Sequence, residues 1–277
     1  MRFGNAVVAG LIGFCAATPL AQATVVNLTS DGSSGTINSA LFIENDNQAT
    51  GSGVLDSFVR ISDGSPKTGA VIEGFNTSAR PLQLDENTSP IFTHDLLLTD
   101  VPILTVNSID YREFILDINQ SGTDPLLSLD VVQIYLGDVL ADHAVPSDPS
   151  LLGTLIWDLD GSVIDGDSWV KLNYSLNNGS GSGDMRLLVP NSLFSGHDGS
   201  YVYLYSKFGD QGGAYINNDG FEEWAVRGQP GGQCGEENNP PCPPPPGEIP
   251  EPTSMLLMGT GLIGAIGFGY TRKKRSL

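Results

Sequence analysis

Residues 169–176 read WVKLNYSL and alternate between apolar and polar side chains. Successive side chains of a β-strand point to opposite faces, so an alternation with a period of two residues predicts a strand with one buried face. The residues on the predicted buried face are Val170, Leu172, Tyr174 and Leu176. The residues on the opposite face are Trp169, Lys171, Asn173 and Ser175. This stretch favours an all-β fold.

Further runs of β-branched, aromatic and aliphatic residues, bounded by Gly, Asn, Asp or Pro, predict more strands on both sides of this one. They lie at residues 54–61, 70–75, 95–99, 111–118, 126–136 and 201–208. No window has the periodicity of a long amphipathic helix, and a short turn is expected at residues 190–194. Many strands at roughly ten-residue spacing predict one β-sandwich domain over residues 24–228, with a jelly-roll-like topology.

The charge is strongly negative and unevenly placed. The whole chain carries a formal net charge of −19, and all 32 acidic residues lie between Asp31 and Glu251 together with only eight of the 13 basic ones. This balance argues against nucleic acid or anionic lipid as a partner of the folded domain. It suits an extracellular protein that charge keeps soluble, or one that meets divalent cations.

Residues 1–23 are predicted to be a secretory signal peptide. Arg2 supplies the positive end, residues 6–17 supply the apolar segment, and Ala21 and Ala23 form a small-x-small cleavage site. The alternative is a lipoprotein signal that ends at Cys15, which is disfavoured because the preceding Phe14 is too large for that site. We therefore expect export and a mature chain that starts at Thr24.

Residues 229–247 are predicted to be a linker that is rich in proline and glycine. Its proline runs at residues 240–241 and 243–246 favour an extended, semi-rigid polyproline II spacer. Cys234 and Cys242 lie eight positions apart in it and could close a small disulfide loop outside the cytoplasm. A metal pair is less favoured, since no His or further Cys accompanies them.

Residues 248–277 read EIPEPTSMLLMGTGLIGAIGFGYTRKKRSL and contain three successive parts. The first is a stiff motif of Pro250, Glu251 and Pro252. The second, residues 253–270, is uncharged, and as a helix it would be roughly 27 Å long, just enough to cross a bilayer core. The third is a basic cluster that should stay on the cytoplasmic side, formed by Arg272, Lys273, Lys274 and Arg275.

This order of parts resembles the PEP-CTERM sorting signal of Gram-negative bacteria. An ordinary tail anchor would explain the span and the basic end but not the Pro-Glu-Pro motif before them; Ile249 stands where Val is common. The resemblance implies that Pro250, Glu251 and Pro252 are recognised by an exosortase, an integral-membrane cysteine protease or transpeptidase. It also implies a transient stay in the inner membrane and then release to the cell surface or the extracellular matrix. Residues 111–119, 127–135, 201–205 and 220–224 resemble a recurrent PEP-CTERM ectodomain, which implies no particular activity.

No catalytic residue is predicted. The sequence contains no G-x-S-x-G elbow, Walker loop, H-E-x-x-H motif or zinc-type Cys/His cluster. His94, His143 and His197 lie far apart in the chain. Glu222 and Glu223 are adjacent, and neighbours on a strand point to opposite faces, so they cannot flank one glycosidic bond. We therefore expect a protein that is not an enzyme.

Calcium is the one cofactor that the sequence suggests. Asp117, Asn119 and Ser121 have the 1-3-5 spacing of oxygen ligands in a calcium loop, and Gly122 follows at position 6. Position 12 is Ser128, which lacks the bidentate carboxylate of an EF-hand, and a predicted strand precedes the loop. A second acidic turn lies at residues 158–161, and a plain Asx-type turn remains an alternative at both places.

The leading functional hypothesis is a non-enzymatic, secreted or surface-attached protein of the extracellular matrix, associated with exopolysaccharide. An alternative is a carbohydrate-binding jelly-roll module for exopolysaccharide that uses exposed aromatic side chains. The candidates for that role are Trp169, Tyr201, Tyr203 and Tyr205, although core packing is the favoured explanation of the tyrosine face. A glycan-active enzyme is a third hypothesis that rests only on scattered carboxylates.

Overall fold

The computed structural model describes residues 23–45, 55–62, 69–138, 147–161, 167–177, 179, 183–197 and 199–228. All belong to the first of two units into which the chain divides, Met1–Gln229. The described strands, in chain order, are β1 (Val25–Asn27), β2 (Ser34–Ile37), β3 (Ala40–Glu44), β4 (Leu55–Ile61), β5 (Ile72–Phe75), β6 (Leu96–Leu97), β7 (Ile103–Val106), β8 (Ile109–Asp117), β9 (Leu126–Gly137), β10 (Thr154–Asp158), β11 (Trp169–Asn173), β12 (Met185–Pro190), β13 (Tyr201–Phe208) and β14 (Glu222–Arg227). Short 3-10 helices lie at Leu98–Asp100, Pro149–Leu151 and Asn191–Phe194.

The strands form two seven-stranded sheets. In sheet I the strand order is β1-β11-β9-β13-β5, with β10 paired to β9 and β6 paired to β13. In sheet II the order is β2-β3-β12-β8-β14-β4, with β7 paired to β8. The pairing of β1 with β11 is parallel, and the other strand pairs described are antiparallel. The predicted all-β architecture is confirmed, while the jelly-roll-like topology stays a prediction.

Both sheets contribute to one apolar core. The ring centroids of Phe42 in sheet II and Trp157 in sheet I lie 6.1 Å apart. Trp224 in sheet II donates its indole N–H to Ser206 Oγ in sheet I at 3.0 Å, which satisfies the polar end of a fully buried ring. The two sheets therefore pack through their apolar faces.

The alternation at residues 169–176 predicts the orientation of β11 correctly. Val170 and Leu172 are buried in the core, whereas Trp169, Lys171 and Asn173 are only partly buried. The strand ends at Asn173, where the chain turns, so the predicted strand was three residues too long. Tyr203 is fully buried and Tyr205 is 8% exposed, in a second cluster with Phe75, so core packing accounts for this tyrosine face.

Five strands of sheet II lie outside the predicted strand ranges: β2, β3, β7, β12 and β14. In β12, the run Leu187–Leu188–Val189 is buried on both faces, so the strand does not alternate between apolar and polar residues. In β14, the first residue, Glu222, is fully buried, although a charged side chain is expected on the exposed face of a strand. The predicted strand at residues 95–99 is reduced to Leu96–Leu97, because a 3-10 helix begins at Leu98.

Several predictions concern residues outside the described part of the chain. They include the signal peptide up to residue 22, the linker with Cys234 and Cys242, and the motif, span and basic end within residues 248–277. Among the described residues, no helix is long and apolar enough to span a membrane. Thr24, the predicted mature N-terminus, already donates its backbone N–H to Ser168 Oγ at 3.1 Å.

Replacing Phe114 with Ala should destabilise the domain by about 3–5 kcal/mol, because the ring is fully buried and truncation leaves a cavity. Its ring packs edge-on against Phe58, with 6.3 Å between centroids. Urea denaturation measures the loss. The matched control is Ile91→Ala, since Ile91 is 73% exposed and its truncation should cost less than about 0.5 kcal/mol. Equal losses in the two variants would contradict the position of the core.

Candidate functional site

One end of sheet II gathers four carboxylates, which we call the acidic cluster: Glu44, Asp117, Asp184 and Glu222. Glu44 ends β3 and Asp117 ends β8, whereas Asp184 immediately precedes β12 and Glu222 begins β14. These four strands are consecutive antiparallel neighbours in the order β3-β12-β8-β14, so the ends of two meet the starts of the other two at one edge. All four side chains are buried, with 0–5% exposed.

Backbone and amide N–H groups hold two of these carboxylates beside the end of β8. Asp184 Oδ2 accepts a hydrogen bond from the Ile118 amide at 2.7 Å. Glu222 Oε2 accepts one from the next amide, that of Asn119, at 3.1 Å. Glu222 Oε1 accepts another from the Gln120 side chain at 2.5 Å. The two acids thus flank the segment that follows Asp117.

Glu44 is also held by hydrogen bonds, whereas one oxygen of Asp184 is not. Glu44 accepts from the Gly32 amide at 2.7 Å and from Asn177 Nδ2 at 3.0 Å. Oδ1 of Asp184 is buried and has no hydrogen-bond partner among the described residues. A buried polar atom without a partner is uncommon in folded proteins and calls for an explanation.

The positions of Asp184 and Glu222 disfavour the charged forms of these two acids. Burial raises the pKa of Asp184 well above its usual value, and the nearby Asp117 and Glu44 raise it further against the opposing hydrogen bond from Ile118. Burial likewise raises the pKa of Glu222, and Asp184 and Asp117 add to the effect. Ionising Asp184 and Glu222 therefore costs free energy unless a positive charge compensates.

Four ion pairs join described residues to one another, and none of them includes Glu44, Asp184 or Glu222. Arg186 and Arg227 both contact Glu113, at 2.6 and 2.8 Å. The other two pairs are Arg60 with Glu223 and Lys207 with Asp210. Glu113 is thus a fully buried acid in the same sheet that two arginines neutralise, whereas none of these four pairs involves Glu44, Asp184 or Glu222.

The three residues predicted to bind calcium make different local hydrogen bonds, and the calcium loop stays a prediction. Asp117 belongs to the acidic cluster, but Asn119 contributes its backbone N–H to Glu222. Ser121 donates its backbone N–H to Asn218 Oδ1 at 2.8 Å, and its hydroxyl lies 2.9 Å from Thr123 Oγ1. Within the described ranges, no three His, Cys, Asp or Glu side chains are arranged, as they stand, to hold one metal ion.

The second acidic turn forms local hydrogen bonds. Asp158 Oδ1 accepts from the Asp160 amide at 3.0 Å, and the Asp158 carbonyl accepts from the Gly161 amide at 3.1 Å. Gly161 has a φ of +68°, which glycine adopts without strain. Residues 158–161 thus form an Asx-type turn, one of the two alternatives expected from the sequence at this place.

Trp169 of β11 in sheet I and Tyr215, which lies between β13 and β14, form a second candidate site. We call these two residues the aromatic pair. Their ring centroids lie 5.1 Å apart in an edge-to-face arrangement, and Lys171 Nζ lies 5.1 and 5.3 Å from them. The carbonyl of Tyr215 accepts from the Ser128 amide at 3.1 Å, which fixes its loop against β9. All three side chains are partly exposed.

Other titratable groups have structural partners. His94 uses both ring nitrogens on backbone carbonyls, those of Asp95 at 2.8 Å and Ser57 at 2.9 Å. A cleft of about 430 Å³ lies between the β2–β3 turn and β10. Its carboxylate, Asp158, accepts from Gln133 at 3.0 Å and from its own turn.

Residues 248–273 match the family model of the PEP-CTERM protein-sorting motif. This chain carries a PEP-CTERM sorting signal. The match includes the whole Pro-Glu-Pro motif and ends at Lys273, within the basic cluster. The protein is therefore sorted by its C-terminal signal, is addressed to the cell envelope or surface of a Gram-negative bacterium, and carries the recognition signal for exosortase processing. No curated protein and no solved structure matches the chain significantly.

Replacing Glu113 with Gln should destabilise the domain by about 1–3 kcal/mol at neutral pH, because Arg186 and Arg227 lose their shared anion. Thermal or urea unfolding measures the change. Asp110→Asn is the matched control, since Asp110 is exposed and its hydrogen bond to Thr105 lies at the surface. If the two variants were equally stable, Glu113 would not be the neutralised buried acid described above.

Proposed function

We propose that this protein is a non-enzymatic component of the extracellular matrix, secreted or attached to the cell surface and associated with exopolysaccharide. The observation that carries the proposal is the match to the sorting motif at residues 248–273, which follows an acidic domain of two sheets. The absence of a catalytic motif from the sequence supports a structural or binding role.

The route to the surface follows from the order of segments. The signal peptide directs export, and residues 253–270 then hold the chain in the inner membrane with the basic cluster inside. Pro250, Glu251 and Pro252 come to lie at the outer boundary of the bilayer, where two prolines keep the backbone extended and accessible to a protease. Cleavage by an exosortase in or beside this motif releases or transfers the domain.

The position of the core supports such processing. The described core extends from Val26 to Val226, so cleavage near residue 250 removes no residue from it. Between the core and the motif lies the proline-rich segment, which would act as a spacer. The negative charge keeps the released domain from adsorbing to anionic lipid.

Replacing Glu251 with Ala should leave the full-length protein in the inner membrane, because the motif loses its charged recognition residue. Cell fractionation with mass spectrometry of the C-terminus measures the outcome. Glu237→Ala, in the linker outside the matched segment, is the control and should be processed normally. A secreted form that retains residues 255–277, or normal processing of the Glu251→Ala variant, would overturn the sorting route.

Carbohydrate binding is a second candidate function, and the aromatic pair favours it. Aromatic faces pack against the C–H groups of sugar rings, and Lys171 adds a hydrogen-bond donor beside them. Val25, paired with Trp169 across the β1–β11 ladder, is 46% exposed and extends the apolar surface. Tyr203 and Tyr205 are too deeply buried for this role.

Replacing Trp169 with Ala should weaken binding to the producer's own exopolysaccharide by about tenfold, the effect of losing roughly 1.4 kcal/mol of contact. Affinity electrophoresis measures the retardation of the protein. Ile91→Ala, which alters an exposed apolar residue remote in sequence from the pair, should bind as the unaltered protein does. If the unaltered protein does not bind the exopolysaccharide, the carbohydrate-binding function is refuted.

A further inference from the structure

Asp184 is a buried acid with one oxygen that accepts a hydrogen bond and one oxygen that forms no hydrogen bond with a described group. Oδ2 is held by the Ile118 amide, whereas Oδ1 has no partner although the residue is only 5% exposed. Three other acids, Glu44, Asp117 and Glu222, end or begin neighbouring strands at the same edge. The cluster thus combines four neighbouring carboxylates with a buried oxygen, Oδ1 of Asp184, that forms no hydrogen bond with a described group.

Protonation of Asp184 would lower the negative charge of the cluster, but by itself it gives Oδ1 no hydrogen-bond partner. A proton on Oδ1 would make that atom a donor, and the described residues show no hydrogen bond to this oxygen. A proton on Oδ2 would face the N–H of Ile118, which is itself a donor. Neither position of the proton adds to the hydrogen bonds that the described residues form with Asp184.

We propose that the acidic cluster binds one divalent cation of the calcium class, with Asp184 and Asp117 as ligands and the charges of Glu44 and Glu222 beside them. The strand register places the two ligands together: Met185 of β12 pairs with Leu116 of β8, so Asp184 and Asp117 are the next residues on the two strands. Two carboxylates neutralise a doubly charged ion, and the cation gives Oδ1 of Asp184 its partner.

The chemical type of the ligand atoms indicates which metal ion the cluster would bind. Carboxylate oxygens without histidine or cysteine are the ligands of hard cations, not of zinc or copper. Calcium takes six to eight oxygens in irregular geometry, and amide or backbone oxygens and water can supply those that the two acids do not. Magnesium demands near-ideal octahedral geometry and keeps several waters, which a pocket with 0–5% exposed acids accommodates poorly.

This ligand set differs from the loop that the sequence suggested. Only Asp117 is common to both sets; the backbone N–H groups of Asn119 and Ser121 donate to Glu222 and Asn218. Asp184 and Glu222 hold successive amides of an extended segment, and successive amides point to opposite edges of a strand. Glu222 therefore acts through its charge while Asp184 binds the ion.

The test uses the full-length chain purified in detergent, stripped with a chelator and then titrated with CaCl₂ alone. Isothermal titration calorimetry should show binding by the unaltered protein. Its melting temperature should rise by about 5–10 °C at roughly 100 times Kd. MgCl₂ at the same concentration should give a smaller rise.

Three carboxamide variants locate the site. Asp184→Asn should abolish the calcium-dependent rise and, in chelator, should melt at or above the temperature of the unaltered protein because one like charge is gone. Glu222→Gln should still bind, with about tenfold weaker affinity, since it removes a neighbouring charge and no ligand. Asp130→Asn is the matched control: Asp130 is a buried acid of β9 in sheet I, and the rise should be retained.

Superimposable melts in calcium and in chelator, together with no heat of binding, would overturn the proposal. A calcium response that Asp184→Asn and Asp130→Asn retain equally would also overturn it, by showing that the ion binds elsewhere on an acidic surface. If Asp184→Asn fails to fold, the unaltered protein and Glu222→Gln still decide the outcome, because a site at the cluster requires weaker calcium binding in that variant.

Discussion

The pairing of β8 with β12 on one side and β14 on the other is the constraint on which sheet II depends. Six residue pairs join β12 to β8, and three join β14 to it. The register places Phe114 and Leu116 in the core while Glu113 lies between two arginines. A shift of one residue would exchange these two sets and bury charge in the core. The same register brings Asp184 and Glu222 to the end of β8.

Sheet II thus contains buried acids in two electrostatic situations. Glu113 is neutralised within the sheet by Arg186 and Arg227, so its charge is part of the folded structure. The acidic cluster gathers like charges at the edge, where burial and mutual repulsion raise the pKa values of Asp184 and Glu222. In a chain with a net charge of −19, a compensating positive charge is more readily supplied from outside the protein than from its few basic residues.

The sequence predicts the fold class and the best strands because alternation is a local signal. It succeeds for β11 and β13, where each strand has one face in the main core and the other against water or the smaller tyrosine cluster. It fails for β12, whose buried Leu188 interrupts the alternation. It also fails for the acidic cluster, because Asp184 and Glu222 meet Asp117 only through the pairing of strands distant in sequence. The sorting signal was predictable since its parts are contiguous.

The described core and the sorting signal occupy different parts of the sequence. The described apolar core ends in sequence at Val226, and the matched motif begins at residue 248, so the two share no residue. A change in the tail therefore replaces no residue of the described core. A change at Phe114 or Glu113 alters stability and leaves the recognition residues intact. The activity of the domain must therefore be sought on its own surfaces, at the aromatic pair of sheet I and the acidic cluster of sheet II.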